Sequence, residues 1–192
     1  MTRATRAGDV NNLAAYVSFG LAYVLGHGTT AIAKSDHPVI DLPGWLPVAL
    51  LVAGLAAGIA CAIFASVRAQ RGLGKEEALA GRLIGMAWIG GFAALFLAIG
   101  GLTVTLNLPD LPALLAPAGA GLIVGLLYLG EGALRRNVLH YVLGIWLALI
   151  SAAGLFLGTP GLFWLLAVAG GGGYAVAAFL ERRRLAVGQH RW

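Results

Sequence analysis

The chain has 192 residues, of which 59% are hydrophobic and only 11% charged, and its net charge is +5. About a quarter of a typical soluble domain is charged, so this composition, with a mean hydropathy of +0.86, excludes an ordinary water-soluble fold and leaves no length for a soluble domain beside a membrane bundle. The single cysteine, Cys61, lies in an apolar run, which excludes an internal disulfide framework and a cysteine-based zinc site.

A hydrocarbon core of roughly 30 Å takes about 20 helical residues to cross, and six segments reach that length. The first runs from about Asn11 to Ala31, after the basic start MTRATR and up to the small residues TTAIA. That pattern is shared with cleavable signal segments, but its apolar run extends to spanning length, so the span is expected to be retained. An external loop follows. His27, Asp36, His37 and Asp41 are placed in it, and their spacing matches no standard metal site. A solvated loop without metal is expected.

The second span, about Trp45 to Val67, opens within the phrase PGWLPVALLVAG, Pro43 to Gly54. Arg68, Arg71, Lys75, Glu76 and Glu77 then read as a solvated inner loop, and the GLGK of Gly72 to Lys75 lacks the glycine spacing and hydroxyl of a phosphate-binding loop. The third span covers about Leu83 to Val104. The fourth, about Pro109 to Gly130, opens with PDLPALLAPAG.

Around the turn that follows, Tyr128, Glu131, Arg135, Arg136, Asn137, His140 and Tyr141 form a candidate cytoplasmic polar cluster. Asn137 is suited to cap the next helix. An interfacial anchor holding a Glu131–Arg135 ion pair is the expected role; a polar vestibule, a docking surface, or a proton-sensitive His140 beside Glu131 are the functional alternatives.

The fifth span is about Val138 to Gly158. The sixth, about Pro160 to Leu180, opens with PGLFWLLAVAG, which agrees with the Pro109 phrase at seven of eleven positions. Its middle carries Gly170, Gly171, Gly172 and Gly173, a candidate hinge or close-packing site, with packing preferred because unsatisfied backbone is costly in lipid.

Arg3, Arg6, Arg68, Arg71, Lys75, Arg82, Arg135, Arg136, Arg182, Arg183, Arg184 and Arg191 fall on one side of these spans, and only Lys34 on the other. This asymmetry places both termini in the cytoplasm, with Trp45 and Trp164 near the outer interface. The recurring proline phrase, joined to the likeness of AALFLAIGGL at Ala93 to AGLFLGTPGL at Ala153, predicts three parallel two-helix hairpins, about 11–67, 83–130 and 138–180, in one integral membrane domain, 1–192. Glycine pairs four apart, Gly54 and Gly58, Gly81 and Gly85, Gly121 and Gly125, Gly154 and Gly158, supply close-approach faces. The predicted fold is therefore all-α: a six-span bundle with both ends inside.

Every ionisable residue is assigned to a span end or loop, which argues against a proton-coupled pump, a charged selectivity filter and an intramembrane hydrolase. No catalytic residue, cofactor or metal is expected, and the chain is not expected to be an enzyme. The function anticipated is a small transporter or the permease-like membrane component of a transport complex, with a non-catalytic scaffold or regulatory partner as the alternative. Expected partners are the lipid bilayer and either a second copy or a cytoplasmic protein such as an ATPase, without nucleic acid. Arginine far outnumbers lysine, the composition expected of a bacterial inner-membrane protein from a GC-rich host.

Overall fold

The computed structural model describes residues 10–36, 40–70 and 74–189. Arg3, Arg6, His37, Arg71, Gly72 and Arg191 lie outside those residues. The described chain is all-helical, as an apolar backbone must be where water cannot satisfy its polar groups.

Helix α1 (Leu13–Leu21) passes through a π-helical turn (Ala22–His27) into α2 (Gly28–Ala33) without a break. At 1.5 Å per residue this is about 30 Å of helix. Helices α3 (Leu46–Gln70), α4 (Lys75–Leu106) and α5 (Leu111–Leu134) follow. Helix α6 (Val138–Gly154) then leads through a 3₁₀ turn (Leu155–Leu157) into α7 (Gly158–Leu165), a second π turn (Leu166–Gly170) and α8 (Gly171–Gln189).

Among the described residues, four stretches are long and apolar enough to cross a membrane: Leu46–Ala69, Lys75–Leu106, Leu111–Leu134 and Val138–Ala186. The last is folded back on itself. Gly158, at φ 59°, and the extended Thr159 interrupt the helix, and Gly154 then packs against Leu162 while Gly173 packs against Trp146. The two arms are therefore antiparallel.

The same test gives the other pairings. Gly26, Gly54 and Gly58 meet Leu51, Ala22 and Phe19, so α3 runs antiparallel to α1; Gly91 and Gly119 meet Ile123 and Leu95, so α4 runs antiparallel to α5. Packing continues across hairpin boundaries between α5 and α6 and between α1 and α8. Helices α3 and α4, joined by a few residues, share no packed interface. The order is thus an open chain, α3–α1–α8–α6–α5–α4, where a closed three-fold ring of hairpins would also pair α3 with α4. The final glycines of the first two phrases meet the preceding helix of their own hairpin, Gly54 on Ala22 and Gly119 on Leu95, whereas Gly170 meets Tyr23 beyond α1.

Two sequence expectations are corrected here. Lys75, Glu76 and Glu77 are not loop but the first turn of α4. Acidic residues there favour the helix N-terminus, and Glu77 accepts the Gly74 N–H at 3.3 Å. His27 is not in the external loop either; it is helical and 5% exposed. The helix survives past it because Thr29 and Thr30 turn their hydroxyls onto the Leu25 and Gly26 carbonyls, at 2.6 and 2.7 Å, instead of breaking the chain into a loop.

Large apolar side chains such as Val52, Phe64, Ile89, Leu97 and Phe156 face outward. In water this surface would aggregate; against lipid it is ordinary. Lipid gives no hydrophobic drive between helices, so close packing and internal hydrogen bonds must hold the bundle.

Candidate functional site

The core is aromatic and polar. On α1 and its π turn, Tyr16, Gly20, Tyr23 and His27 follow one another at helical spacing and share one face. Gly20 leaves room for Tyr174 of α8, whose Cβ lies 3.2 Å from where a Gly20 side chain would begin. Around Tyr174 gather Tyr23, Tyr16 and Tyr128, with ring centroids at 5.3, 6.4 and 6.5 Å. Their edge-to-face and tilted arrangements suit aromatic quadrupoles.

At the end of the core near the 135–137 turn, four helices each contribute one polar side chain. The Trp88 indole on α4 donates to Glu131 Oε1 on α5 at 2.7 Å. Glu131 Oε2 lies 3.6 Å from His140 Nε2 on α6. His140 Nδ1 is hydrogen-bonded to the Tyr16 hydroxyl of α1 at 2.8 Å. Tyr128 stacks on the His140 ring at 3.9 Å between centroids.

The candidate cluster is thus divided. Glu131 and His140 turn inward and meet. Asn137 caps α6, its Oδ1 accepting the His140 N–H at 3.1 Å. Arg135 ends α5, and Arg136, at φ 53°, occupies the left-handed turn. No ion pair joins Glu131 to Arg135 among the described residues, because the carboxylate is engaged with Trp88 and His140 instead.

The glycine run lies where α8 meets the second π turn. A side chain on Gly170 would strike the Tyr23 ring, one on Gly171 would strike Val24, and one on Gly173 would lie 2.7 Å from Trp146. Gly172 faces open space. The two π turns pack against each other across α1 and this segment. Such turns displace a carbonyl from regular bonding. The threonines meet that need on one side; on the other the Trp146 indole donates to Ala169 O at 2.8 Å. Trp146→Phe is expected to cost about 1 kcal/mol, since it removes that hydrogen bond; the midpoint of SDS-induced unfolding in mixed micelles measures it.

A second polar centre lies outside the candidate cluster. Glu181 is fully buried, accepts the Asn12 N–H at 3.1 Å, and receives Arg184 at 2.8 and 2.9 Å; Arg184 also donates to Val10 O at 2.9 Å. Beside three consecutive arginines Glu181 reads as part of a solvated basic end. The available signal was its spacing of three from Arg184. Residues assigned to span ends are thus not all solvated there: His27, His140 and Glu181 are buried, and Glu131 is mostly so.

Among the described residues, three buried polar atoms lack a hydrogen-bond partner: His27 Nδ1, His140 Nε2 and Ser151 Oγ. Among the described residues no three His, Cys, Asp or Glu side chains gather as metal ligands would. Comparison with protein-family models, curated proteins and solved structures gave no match.

Proposed function

We propose that this chain is a non-catalytic membrane subunit that crosses the bilayer six times, with both termini on the cytoplasmic side, and that it works by lateral assembly with a partner. The observation carrying this reading is the filled core. Tyr23, Val24 and Trp146 occupy the space beside Gly170, Gly171 and Gly173, and Tyr174 and Ala118 are 1% and 2% exposed. A solute has no room to pass the glycine run while those side chains stay there. Helices α3 and α4 each pack along one neighbour and leave their remaining faces to the membrane, where a partner helix would bind.

Transport by a permease-like component remains the second reading, favoured by the polar side chains grouped inside the bundle. The two separate on one test. Single cysteines placed at Ala118, Ala169 and Tyr174, with Cys61 replaced by alanine, should resist water-soluble thiol reagents in native membranes. Labelling from the aqueous phase would favour a transport path. Gentle purification from native membranes, followed by identification of the co-purifying chain, then names the partner; an ATPase would assign the subunit to a transport complex.

A further inference from the structure

Two carboxylates sit inside the described bundle, and their surroundings differ. Glu181 carries its own counter-ion, since Arg184 donates to both of its oxygens. Glu131, with 17% of its side chain exposed, has no lysine or arginine within ion-pair distance among the described residues; the one basic group there is the His140 ring. A carboxylate withdrawn from water without a cation is costly, and a proton bound beside it cancels the charge.

His140 is placed to hold that proton. Its Nδ1 already has the Tyr16 oxygen at 2.8 Å, whereas its Nε2 has no hydrogen-bond partner and faces Glu131 Oε2 at 3.6 Å. A neutral imidazole has one N–H to share between these two oxygens; a charged one has two.

We propose that Glu131 and His140 form a proton-binding site, with the proton held on the imidazole and the carboxylate as its counter-charge. On uptake the ring gains one proton and no covalent bond between heavy atoms changes. Nε2–H donates to Glu131 Oε2, Nδ1–H donates to the Tyr16 oxygen, and Glu131 Oε1 keeps the Trp88 indole. With that bond formed, hydrogen bonds join α4, α5, α6 and α1 in one network. This goes beyond the assembly reading and does not depend on it.

The groups facing the pair come from each packed element. They are Tyr16 of α1, Trp88 of α4, Tyr128 of α5, Tyr174 of α8 beside Tyr16, and Arg135 at the end of α5. Glu181 with Arg184 stands on the far side of Tyr16 as a neutral pair. Arg135 is partly exposed and beyond ion-pair range, and it acts on Glu131 at a distance, after Trp88 and His140.

The test is nitrogen NMR of the full chain in nanodiscs, with its four histidines labelled and His140 assigned by its loss in His140→Asn. At about pH 6, near the midpoint of a free imidazole, the wild-type His140 ring should be doubly protonated, and in Glu131→Gln it should be mostly neutral at the same pH. Tyr16→Phe, which keeps the carboxylate, should leave the ring charged and move only the Nδ1 resonance. A neutral ring in the wild type overturns the proposal, and so does a charged ring that Glu131→Gln leaves unchanged. A neutral ring is read on the wild type itself, and Glu131→Gln then separates a ring charged by the carboxylate from one charged as any free imidazole would be.

Discussion

Arg184→Gln is expected to destabilise the protein by about 2–4 kcal/mol, below the 3–5 kcal/mol of fully buried pairs because the arginine side chain is 40% exposed. The loss arises mostly on the other partner. Among the described residues, Glu181 would remain fully buried with the Asn12 N–H as its remaining donor. The same change cuts the bond from Arg184 to Val10 O, so the N-terminal segment would also lose one of its ties to α8. The double variant Glu181→Gln with Arg184→Gln should recover part of the loss, because no uncompensated charge is then left inside. A double-mutant cycle on SDS unfolding midpoints measures both, and an Arg184→Gln midpoint equal to wild type would contradict this role.

Gly125→Val should cost more than about 3 kcal/mol and prevent the native packing of α5 on α6. A Cβ at Gly125 would lie 2.5 Å from Ala148 N and 2.7 Å from Gly144 O, and one at Gly144 would lie 2.6 Å from Gly125 O. These neighbours are backbone and cannot rotate away, so the helices would have to separate along their whole contact. Gly130 on the same helix has nothing within 4 Å. Gly130→Ala should therefore stay within about 1 kcal/mol of wild type, or gain slightly from helix propensity. Thermal unfolding in detergent distinguishes the pair, and equal effects would mean that α5 and α6 do not meet through Gly125.

Apolar run length carried most of the fold. The predicted segments starting at Trp45, Pro109 and Val138 lie within a few residues of the helix starts at Leu46, Leu111 and Val138, because chain length and hydropathy decide where a helix can lie in lipid. What run length does not encode is which face turns inward. His27 groups by residue type with Asp36, His37 and Asp41 of the external loop, yet back-bonded threonines let the helix continue past it. The Tyr16–Tyr23–His27 face was equally hidden, since a few tyrosines in an alanine- and leucine-rich helix carry little periodic signal.

The candidate site was partly legible. Glu131 and His140 lie nine positions apart across a predicted turn, close enough for sequence to suggest their meeting. Trp88 and Tyr16 come from helices that only the tertiary arrangement brings there. Their polar atoms are indispensable only because Glu131 is turned inward, and sequence spacing equally allowed it to turn outward toward Arg135.

The most direct test of the whole account is the sidedness of the turns in intact cells, read with a membrane-impermeant thiol reagent on single cysteines at Asn107, Arg136 and Thr159 in a Cys61→Ala background. Six crossings with the basic end inside predict that Asn107→Cys and Thr159→Cys react while Arg136→Cys reacts only after the membrane is opened. Labelling of Arg136→Cys in sealed cells, or release of the chain into water without detergent, would contradict it.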